Sequence, residues 1–311
     1  MRIDPPSIRF VALVAIALLF PGCFFARAIG GNVGQLLGAT EAAPERPQRV
    51  RLADADLAVT WIGHATTLVQ IGDKLILTDP ALTTAVGQLS PRLVEPGLHA
   101  ERIPRVDAVV VSHLHFDHLS IGSLELIEDR VRMLLVPAQG LAYVPNLDFP
   151  VQDLRTWDRW EAEGLRITAV PVDHVGGRLG LDAAFSPLGF TGYMIEYRGL
   201  TVFFGGDSAY DERMNLAIAA RFPEIDLAII PIAPIEPRDF MERTHMSPDE
   251  ALQAFEDLGA ARMIPIHYKT FINSADEPGD AERALAEAQR ERGIPADRIL
   301  VLQIGEQRRI L

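Results

Sequence analysis

The chain has 311 residues, 48% of them hydrophobic, a formal net charge of −13 and one cysteine, Cys23. Such an acidic chain repels phosphate backbones, so nucleic acid is not an expected partner. A single cysteine excludes an intramolecular disulfide, and its place near the N-terminus excludes thiolate metal ligands in the body. Glycine and proline are scattered and no short-period repeat stands out, which describes a globular chain with enough apolar residues for a large core.

Arg2 and Arg9 precede an apolar run from Phe10 to Phe20, and Pro21-Gly22-Cys23 follows. A charged start, a short apolar stretch and a small-residue stop read as an export signal over residues 1–29. Cys23 after Gly22 resembles a bacterial lipoprotein site, although Phe20 and Pro21 depart from the usual pattern. The alternative is an uncleaved anchor extended through Ala26, which at about 17 residues is at the short edge for crossing a bilayer. Each version expects a bacterial protein that is exported, periplasmic or membrane-anchored, with its N-terminus at a membrane surface. Residues 30–56, with Gly30, Gly31, Gly34, Gly38, Pro44 and Pro47, read as a linker. Residues 57–311 form the expected domain.

That domain opens with three strands, 57–62, 67–71 and 74–78, the last two joined by Gly72-Asp73. His64 and Asp79 stand at strand ends. Residues 81–105 read as an irregular loop. A β-branched run, Val106 to Val111, then leads into Ser112-His-Leu-His-Phe-Asp-His118, and apolar residues at helical spacing follow from Leu119 to Asp129. His113, His115, Asp117 and His118 therefore lie where a strand hands over to a helix. Three imidazoles and a carboxylate in one turn suit two metal ions better than one. Imidazole and carboxylate donors favour zinc, iron or manganese.

The remaining elements are strands at 131–136, 156–161 and 165–170, a short helix at 140–143, and a hairpin of 193–197 with 201–204. A helix at 211–220 and a strand at 226–232 come next. Ser247-Pro-Asp-Glu250 has the pattern of a capping box opening a helix over 248–258. A strand at 261–266, a helix at 280–292 and a strand at 299–304 complete the chain. Strands followed by helices in two successive blocks predict an α/β (α+β) domain with sheets face to face and helices outside. His174, Asp207 and His267 also end strands. Asp207, after Gly205-Gly206, is the natural carboxylate to bridge two ions, and the glycines would let the backbone pass close to one.

Taken in order, Trp61-Ile-Gly-His-Ala-Thr66, Leu77-Thr-Asp-Pro80, the His-x-His-x-Asp-His turn, Gly206-Asp-Ser208, Glu236-Pro-Arg238, His245-Met-Ser-Pro-Asp-Glu-Ala251 and Ile266-His-Tyr-Lys-Thr-Phe271 resemble the metallo-β-lactamase superfamily. More narrowly they resemble its branch of N-acylphosphatidylethanolamine-hydrolysing phospholipase D enzymes, over roughly residues 57–309. The resemblance implies a four-layer αββα sandwich in one domain, holding two zinc ions, with Mn or Fe as other metals. His113, His115 and His174 would hold one ion; Asp117, His118 and His267 the other; Asp207 would bridge. His245 would lie near the substrate phosphate, and Asp117, Asp207 and His245 would be the catalytic residues. His64 and Asp79 would orient imidazoles through their other ring nitrogens. Lys269 would pair with an anionic substrate. The implied reaction is hydrolysis of a lipid phosphodiester by a metal-bridging hydroxide. A lactone or small soluble phosphodiester is the alternative; a di-iron redox protein or a non-catalytic metal-binding protein ranks below both. The departure Val175-Gly176-Gly177 after His174 predicts a more open pocket.

Overall fold

The computed structural model describes residues 30, 34–35, 38–87, 90–178, 182 and 184–311; the export signal and Cys23 lie outside them. The first block of strands is β1 (Leu57–Gly63), β2 (Thr66–Ile71), β3 (Lys74–Thr78), the two-residue strands β4 (Ala85–Val86) and β5 (Ser90–Pro91), β6 (Ala108–Val110), β7 (Leu134–Pro137) and β8 (Val151–Leu154). The second is β9 (Arg159–Ala162), β10 (Leu165–Val170), β11 (Gly192–Tyr197), β12 (Leu200–Phe204), β13 (Leu227–Pro231), β14 (Arg262–Ile266) and β15 (Gln307–Arg309). The α-helices are α1 (Ile121–Leu126), α2 (Glu212–Arg221), α3 (Arg238–Met241), α4 (Pro248–Asp257) and α5 (Asp280–Glu291).

Two mixed sheets form, one of seven strands in the order β15-β1-β2-β3-β6-β7-β8 and one of six in the order β14-β13-β12-β11-β10-β9. Each contains the same unit. β1, β2 and β3 are antiparallel neighbours, and β6 and β7 add in parallel beyond β3. Likewise β10, β11 and β12 are antiparallel, and β13 and β14 add in parallel beyond β12. Pairing changes from antiparallel to parallel at β3/β6 and at β12/β13. In α/β sheets ligands bind in the crevice outside the carboxyl ends of the strands. Asp79 follows β3, the histidine turn follows β6, Asp207 follows β12 and His267 follows β14.

Side chains alternate between two cores because β1 to β3 are buried on both faces. Val59, Trp61, Val69 and Ile76 join Ile167, Tyr193, Phe204 and Ile229 of the second sheet in the larger core, which also takes Phe255 of α4 and Leu285 of α5. Ile62, Leu68, Leu75 and Leu77 point the other way, onto Leu114, Leu119 and Leu124. Helix α4 starts with the expected capping box: Ser247 Oγ accepts from Glu250 N at 3.3 Å, and Glu250 Oε2 accepts from Ser247 N at 2.8 Å.

Several elements differ from the sequence expectations. The apolar run 299–304 forms only an isolated bridge, Ile299 to Met263, and the last strand is β15. Ile299, Leu302 and Ile304 are buried without a ladder, so their spacing reports burial and not pairing. Residues 156–158 turn back before β9, with Trp157 at φ 75°, and β8 has no counterpart among the expected strands. The helix expected over 119–129 is α1 followed by a separate 3-10 turn, Glu128–Arg130. Residues 38–56 hold no helix or ladder strand but lie along the body, with Glu45 N donating to Ile304 O and Pro47 buried.

Candidate metal centre

At the crevice edge, strand ends of both sheets bring imidazoles and carboxylates together. His113, His115 and His174 form one group and His64, Asp117, His118 and His267 another; Asp207 joins His113 and His118, and also His245 and His267. His113 Nε2 is 2.8 Å from His115 Nδ1, which is 3.4 Å from His174 Nε2. His118 Nε2 is 3.2 Å from His267 Nε2. Two ligands about 2.1 Å from one tetrahedral ion stand about 3.4 Å apart, so these separations are those of atoms sharing an ion. Asp207 Oδ2 lies 3.3 Å from His118 Nε2, 3.1 Å from His267 Nε2 and 3.9 Å from His113 Nε2. Its other oxygen, Oδ1, is buried with no hydrogen-bond partner among the described residues. A buried carboxylate with one oxygen unpartnered and the other among convergent imidazoles fits a bound cation.

The ligand tautomers are set from behind. Asp79 accepts from Ser112 N and Ser112 Oγ, each at 2.6 Å, and its Oδ2 is 2.7 Å from His118 Nδ1. His174 Nδ1 donates to Thr244 O and His267 Nδ1 to Ala233 O, both at 2.9 Å. In all three histidines Nε2 is left for a metal. Burial pushes His113 and His174 well below the ordinary imidazole range, which keeps them neutral donors. Burial also opposes charge on His118, but Asp207, Asp117 and Asp79 outweigh it and raise that ring well above its ordinary value. Burial would raise Asp207, yet His118 and His267 hold it well below the carboxylate range.

His64 departs from expectation. Its Nε2 contacts no imidazole nitrogen but lies 3.0 Å from Asp117 Oδ2, with its ring centre 3.9 Å from that of His267 and tilted 40° to it. Burial, with His267 beside it, pulls His64 down to about 3, so the neutral ring donates to the Asp117 carboxylate. His64 thus aims a carboxylate, while Asp79 aims an imidazole as expected. His64 (φ 55°), Asp79 (φ 32°) and His267 (φ 72°) all take left-handed backbone. Strained conformations at three strand ends of one site are held by the packing around them.

His245 reaches the same edge from the loop between α3 and α4. Its Nδ1 is buried without a hydrogen-bond partner and lies 3.6 Å from Asp207 Oδ2. Arg238 holds this loop: Nη1 donates to His245 O at 3.0 Å and Nη2 to Glu250 Oε2 at 2.6 Å. The two motifs Glu236-Pro-Arg238 and His245-Met-Ser-Pro-Asp-Glu250 are therefore one mechanical unit. Lys269 pairs with Glu282 on α5, not with a group of the centre. Gly206 approaches Ser112 and not a ligand: a Cβ there would lie 2.2 Å from Ser112 Cβ. Gly176 likewise serves close packing, since its Cβ would lie 1.8 Å from Ser186 O. Ser112, which sequence reasoning passed over, was signalled only by its place beside His113.

A family model described as "Beta-lactamase superfamily domain" matches residues 74–268. An uncharacterized protein of Mycobacterium tuberculosis is 30% identical over 250 residues, covering 76% of this chain, which spans 65% of that protein. N-acyl-phosphatidylethanolamine-hydrolyzing phospholipase D 1 of Caenorhabditis elegans is 28% identical over 259 residues, 77% of this chain and 72% of that protein. A UPF0173 metal-dependent hydrolase of Pelotomaculum thermopropionicum is 29% identical over 234 residues, 75% of this chain and 93% of that one. Among solved structures, an isothiocyanate hydrolase from Delia radicum gut bacteria shares the fold, with a TM-score of 0.63 at 20% identity, covering 81% of this chain and 98% of that one. With its αββα layers, its histidine–aspartate cluster and these relatives, the chain belongs to the metallo-β-lactamase superfamily.

Proposed function

We propose that the enzyme holds two zinc ions and cleaves the phosphodiester of an N-acylphosphatidylethanolamine-like lipid by phospholipase D chemistry. The observation that carries this reading is His245, buried, unpartnered at Nδ1 and held beside Asp207 by Arg238. The likeness to the Caenorhabditis elegans enzyme supports the substrate class. His113, His115 and His174 would hold one ion and Asp117, His118 and His267 the other, with Asp207 beside His113, His118 and His267. Such an ion pair supplies an acidified water and polarises a phosphoryl oxygen.

The protein's own groups do the rest. Asp207 and Asp117 bring negative charge to the centre, and His64 fixes the direction of Asp117. Burial pulls His245 down to about 4, so its ring is neutral and keeps one N–H for negative charge developing on a phosphoryl oxygen. In the reaction the oxygen of water bonds to phosphorus and the bond from phosphorus to the N-acylethanolamine oxygen breaks. The products are phosphatidic acid and the free N-acylethanolamine, which takes up a proton. Phe116 (37% exposed), within the ligand turn, and Val175 (43%), next to His174, present apolar surface beside the ligands, and Phe185 and Leu188 are exposed on the segment that leads to the crossing. Such surface would suit acyl chains better than a small soluble diester. The N-terminal segment would bring it to a membrane through export or lipidation of Cys23.

Zinc-loaded protein incubated with N-acylphosphatidylethanolamine vesicles should release phosphatidic acid, detected by mass spectrometry, and chelator should stop it. A metal-loaded protein giving no product would contradict the lipid assignment and direct attention to lactones and small phosphodiesters.

A further inference from the structure

Between His174 and β11 the chain crosses the ligand turn. His113 pairs with Phe190 in an isolated bridge, and Thr191 N donates to Ser112 O at 2.8 Å. Arg178 enters this crossing side-on. Its Nη1 donates to Leu114 O at 3.0 Å and to Leu119 O at 2.7 Å, and its guanidinium lies 4.3 Å from the centre of the Phe116 ring. Leu114 and Leu119 flank His115, Asp117 and His118, so one guanidinium nitrogen ties together both ends of a segment carrying three ligands. The Asp182 carboxylate accepts from the Arg178 backbone N–H at 2.9 Å and from Tyr143 Oη at 2.9 Å, which anchors the arginine's own segment.

We propose that Arg178 is a positioning residue for the metal centre: it closes the turn 114–119 so that His115, Asp117 and His118 converge. The proposal rests on the reading of this cluster as a metal site. A turn with two carbonyls facing one another is held open by their mutual repulsion unless a donor stands between them, and a guanidinium nitrogen supplies that donor. Its stacking on Phe116 fixes the middle of the same turn. Arg178 is neither a ligand nor in hydrogen-bond contact with one, so its effect must show in how firmly metal is held.

The test compares wild type with Arg178→Met, which keeps the packing stem and loses the donors, and with Arg178→Lys, which keeps charge and one donating centre. Each protein is loaded with zinc, and release into excess chelator is followed with a zinc-sensitive dye. Unfolding of each metal-stripped protein is measured in parallel. Expected is about 10–100-fold faster release from Arg178→Met, an intermediate rate from Arg178→Lys, and near-equal midpoints for the stripped proteins. Unchanged release from Arg178→Met overturns the proposal. So does a stripped midpoint that falls as much as the loaded one, because the arginine would then be holding the fold and not the site. A wild type that binds no zinc at all defeats the underlying metal reading, and this arm separates that failure from the other two.

Discussion

At the level of single residues, the centre is defined by which atoms lack partners. Asp207 Oδ2 faces His118 and His267 while Oδ1 has no hydrogen bond among the described residues. Asp207→Asn keeps the shape and removes the charge; it should leave the circular dichroism spectrum intact, lower bound metal and abolish turnover. Asp79 acts one step back, through His118 Nδ1, so Asp79→Asn should retain some activity and weaken metal affinity by about 10–100-fold in a competition titration. All seven residues that the resemblance implies as ligands fall in the one cluster of imidazoles and carboxylates, because their motifs end strands whose loops share an edge. Sequence alone misread His64, because spacing along the chain does not say whether a strand-end ring meets an imidazole or a carboxylate across 53 positions. It also left Lys269 free for a substrate, where the structure gives it Glu282 on a distant helix.

The elements explain why the loops can carry such strain. β3, β6, β12 and β14 end in rigid, fully buried runs, so each ligand departs from a fixed point. Gly206 lets the end of β12 pass against Ser112; with φ 59° and a Cβ that would sit 2.2 Å from Ser112 Cβ, Gly206→Ala should push Asp207 away from His118. Zinc titration should then show loss of the shared site. The capping box of α4 holds a second lever, since Glu250 also receives Arg238. Ser247→Ala should cost about 1 kcal/mol. Arg238→Met should lower turnover through His245 while leaving metal content near wild type, a split that steady-state rates and metal analysis on one preparation would reveal. Regular strands such as 74–78 and 165–170 were legible from alternation and turn residues. The 299–304 run was not, because burial against a core leaves the same apolar trace as pairing.

For the whole molecule, the cluster joins the two sheets. His113, His115, Asp117 and His118 come from the first sheet's loops, whereas His174, Asp207 and His267 follow strands of the second. Ions held among them would tie the halves together at one edge, so metal should raise the unfolding midpoint by mass action and chelator should lower it. The repeated unit of three antiparallel and two parallel strands leaves no repeat in the residues, because the two halves share topology and not motif. The measurement that tests the account most directly is the metal content of the purified wild-type protein after equilibration with zinc and removal of the free ion. Two zinc ions per chain, falling on Asp207→Asn substitution, are predicted. A protein that retains no metal under any loading, yet is folded, would contradict the dinuclear centre and the hydrolytic mechanism built on it.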